Sequence, residues 1–179
     1  MKKPLSVALL AVGFLCVGIS ENGYCGAAEE PFQLALFNPI QIRDEAAGIV
    51  GLRLNLIYGK NVYVTGLDLG LVNHCTGGET LGLQHGLVGY VEGDFRGWQD
   101  NMVSIVKGEF RGLQTGLYNE FGNGMGFQLG AVNRTYNMRG FQLGFVNYTE
   151  TMHGLQIGLL NIIQSKKTWP ALILVNWSF

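Results

Sequence analysis

Cysteine, proline, net charge and long apolar runs are all scarce in this chain, and each scarcity removes a class of protein. Of the three cysteines, Cys16 and Cys25 fall in a leader-like N-terminus, which leaves Cys75 alone in the body and excludes an internal disulfide framework. Cys75 reads as a small, semi-apolar turn residue. Four prolines against 27 unperiodic glycines exclude collagen, and a hydrophobic content of 47% excludes a disordered chain. The formal net charge is -1, and removing residues 1–28 takes away Lys2, Lys3 and Glu21, leaving 10 basic against 12 acidic residues, or -2. Such a balance predicts no nucleic-acid partner. No later stretch reaches the ~20 apolar residues of a membrane-spanning helix.

Sites of chemistry are equally scarce. His74, His85 and His153 occupy unrelated positions without metal-ligand spacing, and the chain has no nucleophile elbow, phosphate-cradling loop or paired carboxylates on one strand. The expectation is a protein without catalysis, cofactor or metal.

The N-terminus reads as a secretory signal over residues 1–28: Lys2-Lys3, an apolar run from Leu5 to Ile19, and Gly26-Ala27-Ala28 as the cleavage site. One domain of residues 29–179 follows, long enough to bury a core. Neither Cys16, after Phe14-Leu15, nor Cys25, after Gly23-Tyr24, has the small residues that lipoprotein processing uses.

What the chain does have is repetition. Gly112-Leu-Gln-Thr-Gly-Leu-Tyr-Asn119, Gly126-Phe-Gln-Leu-Gly-Ala-Val-Asn133, Gly140-Phe-Gln-Leu-Gly-Phe-Val-Asn147 and Gly154-Leu-Gln-Ile-Gly-Leu-Leu-Asn161 follow one another at 14 residues. Weaker copies begin at Gly51, Gly66, Gly82 and Gly97, at spacings of 15 or 16 residues, and Phe32–Asn38 is a degenerate first copy. One supersecondary unit has been copied, so equal positions meet in neighbouring units. Within a unit the alternation is strict: Phe141, Leu143 and Phe145 fall on one face, Gly140, Gln142, Gly144 and Val146 on the other. Period two predicts a strand, and two glycines per eight residues disfavour a helix by ~1 kcal/mol each. Polar turn-formers such as Thr76-Gly77-Gly78-Glu79 and Lys107-Gly108-Glu109 separate the strands. The glycosylation-like triplets at Asn133, Asn147 and Asn176 are by-products of the repeated Asn.

Two stackings of identical strands are open. The preferred reading is an up-and-down antiparallel β-barrel of about ten strands, each ~9–11 residues long, which suits an outer membrane. Its Leu/Phe face meets lipid, its Gly/Gln face looks inward, and Tyr58, Tyr63, Tyr90, Tyr118, Tyr136, Tyr148, Trp169 and Trp177 near the strand ends form an aromatic girdle. The final alternating segment Ala171–Phe179, ending in an aromatic residue, is similar to the signal that barrel-assembly machinery reads. The alternative is a parallel β-solenoid with the Leu/Phe face inside and Asn119, Asn133, Asn147 and Asn161 laddered at a corner. Its inter-strand segments offer little apolar material beyond Phe95, Phe110, Met125, Met138 and Met152.

One irregularity stands out under either stacking. The fourth repeat position, otherwise apolar, reads His85, Asp100 and Thr115 in three consecutive copies. These residues should form a contiguous row, a candidate subunit contact or polar binding patch, because a charge facing lipid is penalised.

The Gly-Leu-Gln-x-Gly-Leu-x-Asn units, with Gly51-Leu-Arg-Leu-Asn-Leu-Ile-Tyr-Gly59 and Gly66-Leu-Asp-Leu-Gly-Leu-Val-Asn73, resemble the bacterial surface-repeat proteins first named from leptospiral lipoproteins. The resemblance runs from about Phe32 to Phe179; it implies an exported location and no established activity, and the absence of a lipobox departs from it. The expectation is a structural protein of the outer membrane or cell surface of a diderm bacterium, or else of its periplasm; the alternative is a soluble or surface-tethered β-solenoid module that binds a protein or glycan partner along its Asn/Gln face. Lipid, barrel-assembly machinery and a protein partner or second copy are its expected contacts. A narrow pore is a further alternative.

Overall fold

A computed structural model describes residues 27–179. Most of the expected signal segment, with Cys16 and Cys25, lies outside the described residues. Seven strands follow in chain order: β1 Glu29–Phe37, β2 Ile40–Gln41, β3 Gly48–Asn61, β4 Val64–Cys75, β5 Glu79–Val91, β6 Asp94–Ile163 and β7 Ala171–Ser178. β6 runs for 70 residues, far beyond any straight strand, because it carries five copies of the repeat without leaving extended geometry.

The direction of pairing corrects the barrel. β1, β3, β4, β5 and the start of β6 pair in parallel, with Gly51 opposite Gly66, Gly66 opposite Gly82 and Gly82 opposite Gly97. Each copy is therefore one coil stacked on the next, and the fold is a β-solenoid. The physical reason lies in the glycines. A Cβ built on Gly82 would stand 2.1 Å from the carbonyl oxygen of Gly66, and one on Gly112 1.9 Å from that of Gly97. Such contacts need equal positions directly on top of one another in every layer, which in-register parallel stacking supplies. Antiparallel pairing is confined to the ends, where β2 meets β1 and β7 meets the last coil of β6. β7 ends the parallel ladder, so the terminal Ala171–Phe179 segment is a cap and not a barrel strand.

Sidedness is also decided by packing. Along one coil the buried residues are Gln142, Asn147, Thr149, Met152 and Gln156. The inward phase slips by one residue after Gly144 and again after Thr149, and each slip marks a corner. The Gly/Gln face is thus interior, as the barrel reading had it. The solenoid reading with Leu and Phe packed inside is overturned: Phe127 is 57% exposed and Phe145 64% exposed.

Two amide ladders fill the interior. Gln156 donates to Gln142, Gln142 to Gln128, Gln128 to Gln114, Gln114 to Gln99 and Gln99 to Gln84, at 2.7–2.9 Å. Gln84 donates to Asp68 Oδ2 at 2.8 Å. At the corner, Asn119 donates to Asn133, Asn133 to Asn147 and Asn147 to Asn161, at 2.8–2.9 Å, in the opposite sense along the axis. A one-way chain of amides leaves one acceptor over at its tail, and Gln156 Oε1 and Asn119 Oδ1, the tails of these two ladders, are among the unpartnered buried oxygens, with Asn55 Oδ1 and Asn101 Oδ1 in the irregular early coils. Within each ladder the amides of successive copies satisfy one another, which offsets the cost of burying them.

The Gln ladder begins on charge. Arg53, fully buried, grips Asp68 with Nε and Nη2, both at 2.7 Å, and Nη1 donates to the His74 carbonyl at 2.9 Å. Burial alone would favour the neutral guanidine, yet the Asp68 carboxylate holds the Arg53 pKa above its ordinary value. Burial pushes the Cys75 thiol up, against the pull of Arg53, and keeps it protonated and unreactive. Such a pair is only weakly favoured over neutral groups that fit the same space. Arg53→Gln with Asp68→Gln, which extends the amide ladder, is therefore expected to stay within ~2 kcal/mol of the parent in urea unfolding. Asp68→Gln alone should lie clearly below the double variant, since it strands the guanidinium. The reverse order would remove this account of the pair.

Apolar packing is a thin column beside the ladders. Phe95 stacks on Phe110 with ring centroids 5.8 Å apart, and Phe110 on Phe121 at 4.9 Å. Met138 and Met152 continue the column, whereas Met125 is 57% exposed. The copy with Gly124 at the column position has no side chain there, and Phe121, from across the same coil, fills the space. The segments that looked too poor to build a solenoid core therefore supply its apolar half.

Candidate interaction face

Because the Gln face is interior, the Leu/Phe face has no covering layer. β1 opens it with Phe32 opposite Leu52 and Leu34 opposite Leu54. β7 closes it with Val175 opposite Ile157 and Trp177 opposite Leu155. Between them Leu67, Leu87, Leu117, Phe127, Phe145 and Leu159 are exposed. The rows are in register because the coils are, so the face is a continuous apolar sheet and not scattered residues. A patch of this kind marks a protein or membrane contact surface.

The sequence-predicted row lies in its midst. His85 pairs with Asp100 across adjacent coils, His85 Nδ1 approaching Asp100 Oδ2 at 2.9 Å. Thr115 donates to Asp100 Oδ1 at 2.5 Å, and Trp98 Nε1 donates to Thr115 Oγ1 at 2.9 Å. All three expected residues are therefore brought together, with Trp98 as a fourth member that pattern reading missed. The side chains of His85 and Asp100 are 61% and 36% exposed, so the pair is a wet surface contact that contributes little to stability.

The remaining polar groups are spread along the turn side. His74 Nε2 lies 2.9 Å from Glu92 Oε1, and its ring sits between Tyr58 and Tyr90 at centroid distances of 6.1 and 5.1 Å. Its neighbour Cys75 points inward, so adjacency in sequence brings no joint site. The expected girdle falls with the barrel: Tyr58 and Tyr90 flank His74, Tyr136 and Trp169 are exposed, and Trp177 stands on the Leu/Phe face. Arg111, Arg139 and His153 line a shallow open groove of about 550 Å³ with Asn123, Asn137 and Thr151. Asn133, Asn147 and Asn176 are fully buried and bonded, which removes them as glycosylation acceptors. Among the described residues no three His, Cys, Asp or Glu side chains converge, and no helix is long and apolar enough to cross a membrane.

Fold and face together define the class: a capped β-solenoid repeat protein with one uncovered apolar sheet. Comparison of the chain with protein-family models, with curated proteins and with solved structures gives no match.

Proposed function

We propose that this chain is a non-catalytic, exported surface-repeat module of a diderm bacterium whose Leu/Phe face is covered by a protein partner. The observation that carries the reading is the uncovered face itself, with Leu117 and Phe127 more than 50% exposed near the middle of an ordered sheet. Export is supported by the leader-like sequence, and surface location by the resemblance of the Gly-Leu-Gln-x-Gly-Leu-x-Asn units to bacterial surface repeats. A pore finds no support in an interior occupied by amide ladders. A barrel-assembly partner loses its rationale with the barrel.

Cysteine accessibility in intact cells tests this. Leu117→Cys should be shielded from a membrane-impermeant maleimide, while Glu109→Cys, on the turn side, should label readily without lysis. Equal labelling of both sites would leave the face uncovered and the proposal without its basis. Labelling of Glu109→Cys only after lysis would remove the surface location.

A further inference from the structure

We infer that the partner covering the Leu/Phe face is a second copy of this chain, packed face to face about a two-fold axis that runs along the strands. The inference rests on the preceding reading that a protein covers this face.

Size is the first argument. Ten strand rows, from β1 through eight coils to β7, build the face. At a strand spacing of ~4.8 Å and ~3.3 Å per residue, ten rows some five to six residues wide cover about 800–950 Å². A stable pair of proteins buries ~800 Å² per partner, and most monomers leave no ordered apolar patch of this extent. Two such sheets pack as the halves of a β-sandwich do, strands within ~30° of one another.

The polar row is the second argument, and it selects the occupant. His85, Asp100 and Thr115 stand on the fourth, fifth and sixth of the ten rows, at the centre of the face. A lipid surface would leave a carboxylate and an imidazole facing hydrocarbon at the point of deepest contact. A second copy brings a matching row of its own. A two-fold axis along the strands keeps each repeat position over itself and reverses the order of rows. Full overlap of ten rows puts the axis between rows five and six. Asp100 of one copy then faces Thr115 of the other, and Thr115 faces Asp100, so the two polar rows meet each other at the axis while His85, over Leu129 of the other copy, keeps its own Asp100 as partner. Leucine and phenylalanine columns on either side exclude water from this centre.

The outward side chains do not touch the buried ladders, so charges can be placed on the face without unfolding the coil. Full-length chain is expressed and purified as the cell processes it, and its mass in solution is measured by light scattering across a concentration series. The parent should run as a dimer. Leu87→Glu with Leu117→Glu should raise the dimer dissociation constant at least ~100-fold while far-UV circular dichroism and the urea midpoint stay at parental values. A chain with Asp100→Cys mixed with one carrying Thr115→Cys should be joined by a short bis-maleimide, and two chains with Glu109→Cys should not.

A parent that stays monomeric at ~100 μM, or a dimer indifferent to the two glutamates, overturns the inference. A monomer that floats with phospholipid vesicles assigns the face to lipid and overturns it as well. If the parent is monomeric yet Leu117→Cys is shielded in cells, the covering partner is another protein, and only the self-association fails. If Leu117→Cys is open in cells too, the covered face and its occupant fail together.

Discussion

Gly140→Ala is expected to lower stability by ~3–5 kcal/mol, from backbone strain of ~1–3 added to overpacking of a similar size. Gly140 has φ 139°, where L side chains are rare, and a Cβ there would stand 2.0 Å from the Gly126 carbonyl oxygen of the coil beneath. That oxygen belongs to a stacked backbone, so relief requires two coils to part and the amide ladders through them to stretch. Gly77→Ala is the internal control, because the nearest atom to its added Cβ is Val62 Cγ1 at 3.7 Å, an ordinary contact. It should change stability by no more than ~0.5 kcal/mol. Urea unfolding followed by circular dichroism separates the two. Equal midpoints would mean that the close glycine stack does not govern coil spacing.

Gln128→Leu should cost as much by a different route. Gln128 donates to Gln114 at 2.9 Å and accepts from Gln142 at 2.7 Å and from the Thr135 hydroxyl at 2.9 Å. Leucine has a similar volume and no polar atom, so the change leaves the Gln114 oxygen without its partner and takes the acceptor from Gln142 and Thr135. At ~1–3 kcal/mol for each stranded group, two or three such groups remove ~3–6 kcal/mol, a large share of the ~5–15 that holds a domain together. Gln142 keeps a contact to Thr135 at 3.2 Å, which sets the lower end of the range. Gln156→Leu, at the tail of the ladder where Oε1 has no partner, should cost clearly less. If the two substitutions lower the urea midpoint alike, the ladder does not act as a connected chain.

These two sites show how far pattern reading reaches. The 14-residue register and the strand state were legible, because period-two alternation with two glycines per copy fits no helix. Contiguity of His85, Asp100 and Thr115 was legible too, since equal repeat positions meet in any stack, and the structure joins them by hydrogen bonds. Trp98 was missed because it sits at a position that is apolar in every other copy, and only its Nε1 contact to Thr115 attaches it to the row. The Arg53–Asp68 pair had a signal in opposite charges at one repeat position of consecutive copies. Its meaning depends on that position facing inward.

Strand, period, equivalence of positions and the existence of a polar row were determined by the sequence alone, because they depend only on which residues recur and at what interval. Direction and sidedness were decided by the tertiary structure. Alternation is the same in a parallel coil and an antiparallel hairpin, so it carries no information on which way the next strand runs. A glutamine row fits the inside of a barrel or the outside of a solenoid until the amides of successive copies lie within 2.7–2.9 Å of one another. That proximity exists only when coils stack in register; it turns the polar face into the core and leaves leucine and phenylalanine outside.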